Sequence, residues 1–183
     1  MLMFCVMKYH IGEAYEFYKK FIYNKEKQAL LAERKLHIAG SVPSIDWELF
    51  GAILTGDDGK GGYGSDLTKH EIKSSVLGAS FEYQYHLNGG IQKLIDDMKI
   101  SHVFISYSPD YRDIEVRVIK GVALKETFKD WEPGLIENYK GPNRKQRYRR
   151  SIPFGTVKSD GKLIMRIEHG ELVQDESAVS VKK

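Results

Sequence analysis

One cysteine in 183 residues leaves this chain without the means to form an internal disulfide, which points to a reducing, cytoplasmic setting. That residue, Cys5, reads as a small buried apolar side chain near the start. No cysteine or histidine pairs stand at zinc-site spacing, which argues against a structural zinc. No stretch approaches the roughly 20 apolar residues of a membrane span. Residues 1–7 are apolar but too short for a signal-peptide core, and no cleavage pattern follows them. Acidic residues are missing altogether from 138–159, where Lys140, Arg144, Lys145, Arg147, Arg149, Arg150 and Lys158 all fall. The net charge of only +3 therefore hides a basic segment suited to phosphate contact.

The length predicts one domain over residues 1–183, large enough to bury a sizeable core. Residues 11–38 read as one long helix or two broken ones, with Ala14, Phe17, Tyr18, Phe21, Ile22, Ala29 and Leu30 at helical spacing. Tyr15 and Tyr23 fall outside that stripe, so this helix has a second face to bury, against another subunit or against its own domain. Gly40-Ser41-Val42-Pro43 ends it. Ser44 reads as an N-cap, opening a helix that carries Trp47, Phe50 and Leu54 on one face. Gly89-Gly90 opens a further helix with Ile91, Leu94, Ile95 and Met98 as its apolar side. Strands are predicted at 103–107, 114–122 and, last, 163–167, with a mixed, helical stretch around Pro133 and a frayed tail from Asp175. The sum is an α+β, or α/β-like, fold: a mixed central sheet with flanking helices. The helical segment 1–55 is a candidate for dimerisation, and 62–170 holds the catalytic and recognition core.

Chemistry concentrates after a flexible glycine-rich approach, residues 56–64. That approach is no P-loop, since it lacks the Gly-Lys-Ser/Thr ending and enters a strand. Next come Asp66 and then Glu71-Ile72-Lys73. With Thr68-Lys69 at the tip of a two-residue hairpin, Leu67 faces His70 and Asp66 faces Glu71, about 5 Å apart at Cβ. Lys73 lies on the same face as Glu71, since side chains alternate with period two. Two opposed carboxylates repel, and a divalent cation relieves that repulsion. A nearby ammonium can steady a developing oxyanion or position an attacking water. Acid-x-base spacing alone is uninformative, because Glu33-Arg34-Lys35, Asp97-Met98-Lys99 and Asp160-Gly161-Lys162 share it. Only the copy at 71–73 has an apolar β-branched centre and a second acid at cross-strand distance.

Residues 80–88 form a second constellation. Phe81, Tyr83, Tyr85 and Leu87 alternate as the inward side of an amphipathic strand, leaving Glu82, Gln84, His86 and Asn88 for a groove. Amide side chains can bond an adenine edge bidentately, and histidine can reach guanine acceptors. Tyr83, Gln84, His86 and Asn88 are accordingly candidate DNA contacts. The basic loop 139–154 interleaves its charges with Tyr139 and Tyr148, and its arginines suit phosphates or guanine.

In order and spacing, these elements resemble the PD-(D/E)XK nuclease superfamily, and within it the PvuII-like branch of the type II restriction endonucleases. The resemblance spans roughly residues 66–170 and rests on Glu71-Ile72-Lys73-Ser74, on Phe81 with His86-Leu87-Asn88, on the strands at 103–107 and 114–118, and on Ile152-Pro153 and Glu168-His169-Gly170. It implies a restriction-endonuclease-like core with Asp66 and Glu71 as metal ligands, the Ile72 carbonyl completing the coordination, and Lys73 as the catalytic lysine. It further implies magnesium, with manganese as a substitute, double-stranded DNA as substrate, a homodimer on a short palindromic site, and a cognate DNA methyltransferase as genetic partner. His86 and Asn88 would read bases. The branch carries three consecutive histidines where this chain has Tyr83-Gln84-Tyr85 and His86, and an asparagine pair where this chain has Tyr148 with Arg149 or Arg150, so the target sequence should differ. The shorter acid-to-acid spacing here leaves Asp57 or Asp58 as alternative first ligands. A nicking, homing or junction-resolving nuclease, or an inactive DNA-binding module, are the competing functions.

Overall fold

Two runs of β-branched and aromatic residues, Ser101–Tyr107 and Ile114–Lys120, form the hydrogen-bonded centre of the molecule. A computed structural model describes residues 7–36, 41–62, 64–140, 142, 144–175 and 178–179. Its strands and helices are β1 (Met7–Lys8), α1 (Ile11–Phe17), α2 (Lys25–Glu33), α3 (Ser44–Thr55), β2 (His70–Val76), β3 (Phe81–His86), α4 (Gly90–Asp97), β4 (Ser101–Tyr107), β5 (Ile114–Lys120), α5 (Lys125–Asn138), β6 (Arg147–Ile152), α6 (Phe154–Asp160), β7 (Lys162–Glu168), β8 (Glu171–Asp175) and β9 (Ala178–Val179). The fold is α+β, with a mixed five-stranded sheet ordered β2-β4-β5-β7-β8 and helices against it. The predicted position of Cys5 and the predicted helix end at Ile38 and Gly40 lie outside the described residues.

Each face of the sheet has its own core. Val103, Ile105, Val116 and Met165 pack on one side with Ile11, Ala14 and Tyr18, and with Trp47, Phe50 and Leu54 of α3. On the other, Phe104 and Ile119 meet Phe81, Tyr83 and Tyr85 of β3, Leu94 of α4, and Phe128, Trp131 and Leu135 of α5. β3 does not join the main sheet. It pairs antiparallel with β6 to form a separate two-stranded ribbon, whose apolar side is pressed onto this second core.

Several local expectations are corrected. α1 runs into a π-helical turn, Tyr18–Ile22, and α2 buries none of its residues, so Leu30 is exposed rather than core. Of the two partners expected for Tyr15 and Tyr23, the chain itself supplies both contacts: Tyr15 donates to the carbonyl of Gly170, and Tyr23 packs beside Gly170. Pro43 occupies the N-cap of α3, and Ser44 is already its first residue. β7 is not the last strand, because His169 and Gly170, both at positive φ, turn the chain back into β8. The loop predicted at 139–154 is half strand, since β6 starts at Arg147.

Gly121 ties α4 to the sheet. It follows β5, donates its N–H to the Ile100 carbonyl at 2.7 Å, and sits where a Cβ would come 2.3 Å from the Asp97 carbonyl oxygen. Both obstacles are backbone, so neither can swing aside. Gly121→Ala is expected to cost about 2 kcal/mol or more, read as a lower urea midpoint.

Candidate active site

β2 lies at the end of the main sheet, with β4 parallel on one side. A parallel neighbour requires a long crossover, and residues 77–100 supply it through β3 and α4. On the other edge of β2 the predicted hairpin forms only in part. Thr68-Lys69 is a tight turn closed by one bond, Leu67 N–H to the His70 carbonyl at 3.0 Å, and no ladder extends from it. Upstream, residues 58–60 fold back instead: Leu67 bridges Gly59, and Asp58 accepts from the Thr68 N–H. Residues 58–60 of the glycine-rich approach are thus pinned to the turn.

This turn nevertheless brings Asp66 to Glu71. The Asp66 N–H donates to Glu71 Oε2 at 3.2 Å, and Asp66 Oδ2 accepts from the Ile72 N–H at 2.9 Å. The N–H and C=O of one extended residue project to the same side of its strand. The Ile72 carbonyl therefore leaves β2 on the side that Asp66 occupies, away from β4. The Ile72 side chain points into the first core, and Glu71 and Lys73 point to the opposite face.

Glu71 is only 1% exposed, and a lone buried carboxylate would be very costly. Two ammonium groups compensate it at a single oxygen: Lys73 Nζ lies 2.7 Å from Oε1 and Lys93 Nζ 2.8 Å. Burial pushes this carboxyl up, but the two lysines together hold it down at about 2. Lys73 also sits over the Tyr83 ring, 4.9 Å from its centroid. Lys93, on α4, bonds Asp97 one turn along at 3.2 Å. Asp97 in turn accepts from the Tyr85 hydroxyl at 3.0 Å, and its backbone carbonyl accepts from His102 Nε2 at 2.7 Å. That bond fixes the tautomer, so His102 Nδ1 accepts from the Tyr83 hydroxyl at 2.8 Å. A continuous polar network thus runs from the cleft into the second core.

The network carries a pH signature. Burial lowers His102 from its ordinary 6.5 to about 4, so its neutral form stabilises the fold above 6.5 and that stability is lost as pH falls toward 4. Burial raises Asp97 from 3.8 to about 6, and its protonation favours the folded state as pH falls through that window. The two oppose each other. Their contributions are of similar size, so we expect urea stability to change by less than about 1 kcal/mol between pH 6.5 and 4.5. In His102→Gln the Asp97 contribution is left unopposed, and stability should rise by about 2 kcal/mol as pH falls through that window.

Around these groups lies an open cleft of about 520 Å³, lined by Glu48 of α3, Asp66, Glu71, Lys73 and Lys93, and by Glu82, Gln84, His86 and Asn88 from β3 and the turn after it. Burial, then repulsion from Glu71, raises Asp66, and burial followed by repulsion from Asp66 raises Glu48. The floor is therefore crowded with carboxylate that the two lysines do not fully neutralise. Glu48 and Lys93 were not singled out in the sequence. The available signal for Lys93 was its i,i+4 spacing to Asp97 beside the apolar stripe of α4.

Other candidate residues are sorted by strand parity. Gln84 faces Arg149 across the ribbon and His86 faces Arg147, so these four share the cleft side, and Arg147 donates to Gln84 at 3.1 Å. Tyr83 is fully buried with its hydroxyl on His102, so it is a core residue and not a DNA contact. Tyr148 is buried too, its hydroxyl donating to the Trp131 carbonyl. Arg150 opposes Tyr83 on the far side of the ribbon, stacked 4.7 Å from the Tyr148 ring centroid. With Lys145 it lines a separate groove against α5, to which Arg147 and Arg149 at the ribbon edge also contribute, and Lys140 and Arg144 are exposed outside the cleft. Asp57 is not a first ligand, for its carboxylate is spent on the Lys69 N–H at 2.7 Å and on His70 Nδ1 at 2.9 Å. Asp58 is exposed and does not line the cleft. Among the described residues no helix is long and apolar enough to cross a membrane.

No protein-family model matches this chain, and a search of curated proteins returns no match.

Proposed function

We propose that the cleft is the active site of a magnesium-dependent, site-specific double-strand DNA endonuclease of the type II restriction kind, in the PD-(D/E)XK superfamily. The observation that carries this reading is the convergence of Asp66, the Ile72 backbone and Glu71 through reciprocal hydrogen bonds, with Lys73 on Glu71. That donor set fits a hard divalent cation. Among the described residues no three His, Cys, Asp or Glu side chains gather as a metal cage, and magnesium commonly takes one or two carboxylates and completes its shell with water and substrate phosphate. Asp66 and Glu71, with the Ile72 carbonyl, would hold it, and manganese would substitute. Bound there, the ion supplies Lewis-acid activation of water and neutralises charge at phosphorus.

The chain's own residues carry the rest. Lys73 donates to the negative charge that develops on the phosphate oxygens, and its position is fixed by Glu71 below and the Tyr83 ring beside it. The β3–β6 ribbon forms one wall of the cleft, and a two-stranded ribbon is of a size the major groove admits. Gln84, His86 and Asn88 suit base edges, while Arg147 and Arg149 suit guanine or phosphate. A palindromic site would be read by a homodimer, since protein and site symmetry match. A cognate DNA methyltransferase would then protect the host.

The experiment is incubation of plasmid with the purified protein and magnesium. Discrete linear fragments are expected. A nicked circle alone would move the assignment to a nicking enzyme, and duplex binding without any cutting would leave an inactive DNA-binding module.

A further inference from the structure

Glu71 Oε1 receives two ammonium groups, but the two lysines are held very differently. Lys73 has the Tyr83 ring and lies on the same strand as Glu71, facing the cleft. Lys93 comes from α4, and Asp97, fully buried one turn further on, fixes its other side. Asp97 is itself anchored by the Tyr85 hydroxyl. Lys93 cannot leave Glu71 without stranding one charge or the other, so it stays on Glu71 while Lys73 serves a substrate phosphate. A cation entering beside Asp66 and Glu71 meets a carboxylate already half neutralised by Lys93.

We infer that Lys93 is a built-in counter-ion of Glu71, a positioning residue that keeps the cleft folded without metal and holds its metal affinity low until phosphate oxygens arrive. The inference rests on the metal-site reading above. Lys93 substitutes for part of the cation's charge in the resting protein, so an ion gains full coordination energy only when DNA adds its own anionic ligands. Asp97 sets how much of the Lys93 charge reaches Glu71, because it competes for the same ammonium. Removing Lys93 and removing the Asp97 charge therefore shift metal affinity in opposite directions, although each weakens the fold.

The test is Mn2+ binding to the intact protein without DNA, followed by electron paramagnetic resonance. Lys93→Gln is the working variant, since the amide keeps a donor to Glu71 while losing the charge, and Lys93→Arg is the control that keeps it. Lys93→Gln should bind Mn2+ about tenfold more tightly than wild type, as expected for loss of a unit charge a few ångströms away. Asp97→Asn should bind more weakly, and Lys93→Arg should match wild type. Equal affinities across wild type, Lys93→Gln and Asp97→Asn would overturn the counter-ion role while leaving the metal site standing. Absence of Mn2+ binding by wild type even with duplex DNA present would remove the metal site and the counter-ion role together.

Discussion

Lys73→Ala should cut DNA about a thousandfold more slowly, the size of effect seen when a single preorganised donor to a developing oxyanion is lost. Duplex binding should change little, because Lys73 faces the cleft floor rather than the ribbon wall. Its other contacts are Glu71 and the Tyr83 ring, and Lys93 remains to compensate Glu71, so the fold should persist. Asp66→Asn is expected to lose activity to a similar degree for a different reason. The amide oxygen can still accept from the Ile72 N–H, which keeps the local geometry, but the anionic ligand is gone. Asp66→Ala is a poorer probe, since it also orphans that N–H at a cost of about 1–3 kcal/mol. Single-turnover cleavage with gel-shift binding on the same duplex checks both variants. Wild-type rates in either would remove that residue from the site.

Lys93→Met carries the largest expected stability effect. It leaves Glu71 with one cation and Asp97 with none, both inside the protein. Breaking a buried ion pair by removing one member typically costs about 3–5 kcal/mol, most of it the penalty of the stranded charge. Adding Asp97→Leu to Lys93→Met should recover part of the loss, because an apolar pair no longer leaves that second carboxylate uncompensated. Urea unfolding of the two variants measures this. A double variant no more stable than the single one would mean that packing, not charge, dominates at α4.

How far these groups could be read in advance depends on whether their partners are local. The ribbon strand β3 was legible because a period of two is a local property, and Phe81, Tyr83 and Tyr85 do alternate inward against Glu82, Gln84 and His86. The same alternation already argued against Tyr83 as a DNA contact. The neighbour of β2 was not legible. A tight turn at 68–69 is a local feature, but β4 takes the other edge of β2 as a parallel partner, and whether a ladder grows from the turn depends on the chain upstream, where residues 58–60 fold back onto Leu67 and Thr68 instead. Asp57 was misjudged for the same reason, since its partner His70 lies thirteen residues away. Lys93 stands twenty-two residues from Glu71, and only folding of the crossover places them together.

The most direct measurement of the central claim is the cleavage rate of one duplex plasmid across a magnesium titration, for wild type and Asp66→Asn side by side. A saturable rise with magnesium in wild type, abolished by chelator and absent from the variant, is the predicted result. Cutting that is independent of magnesium, or equal in the two proteins, would contradict the assignment of Asp66 and Glu71 as the centre that cleaves DNA.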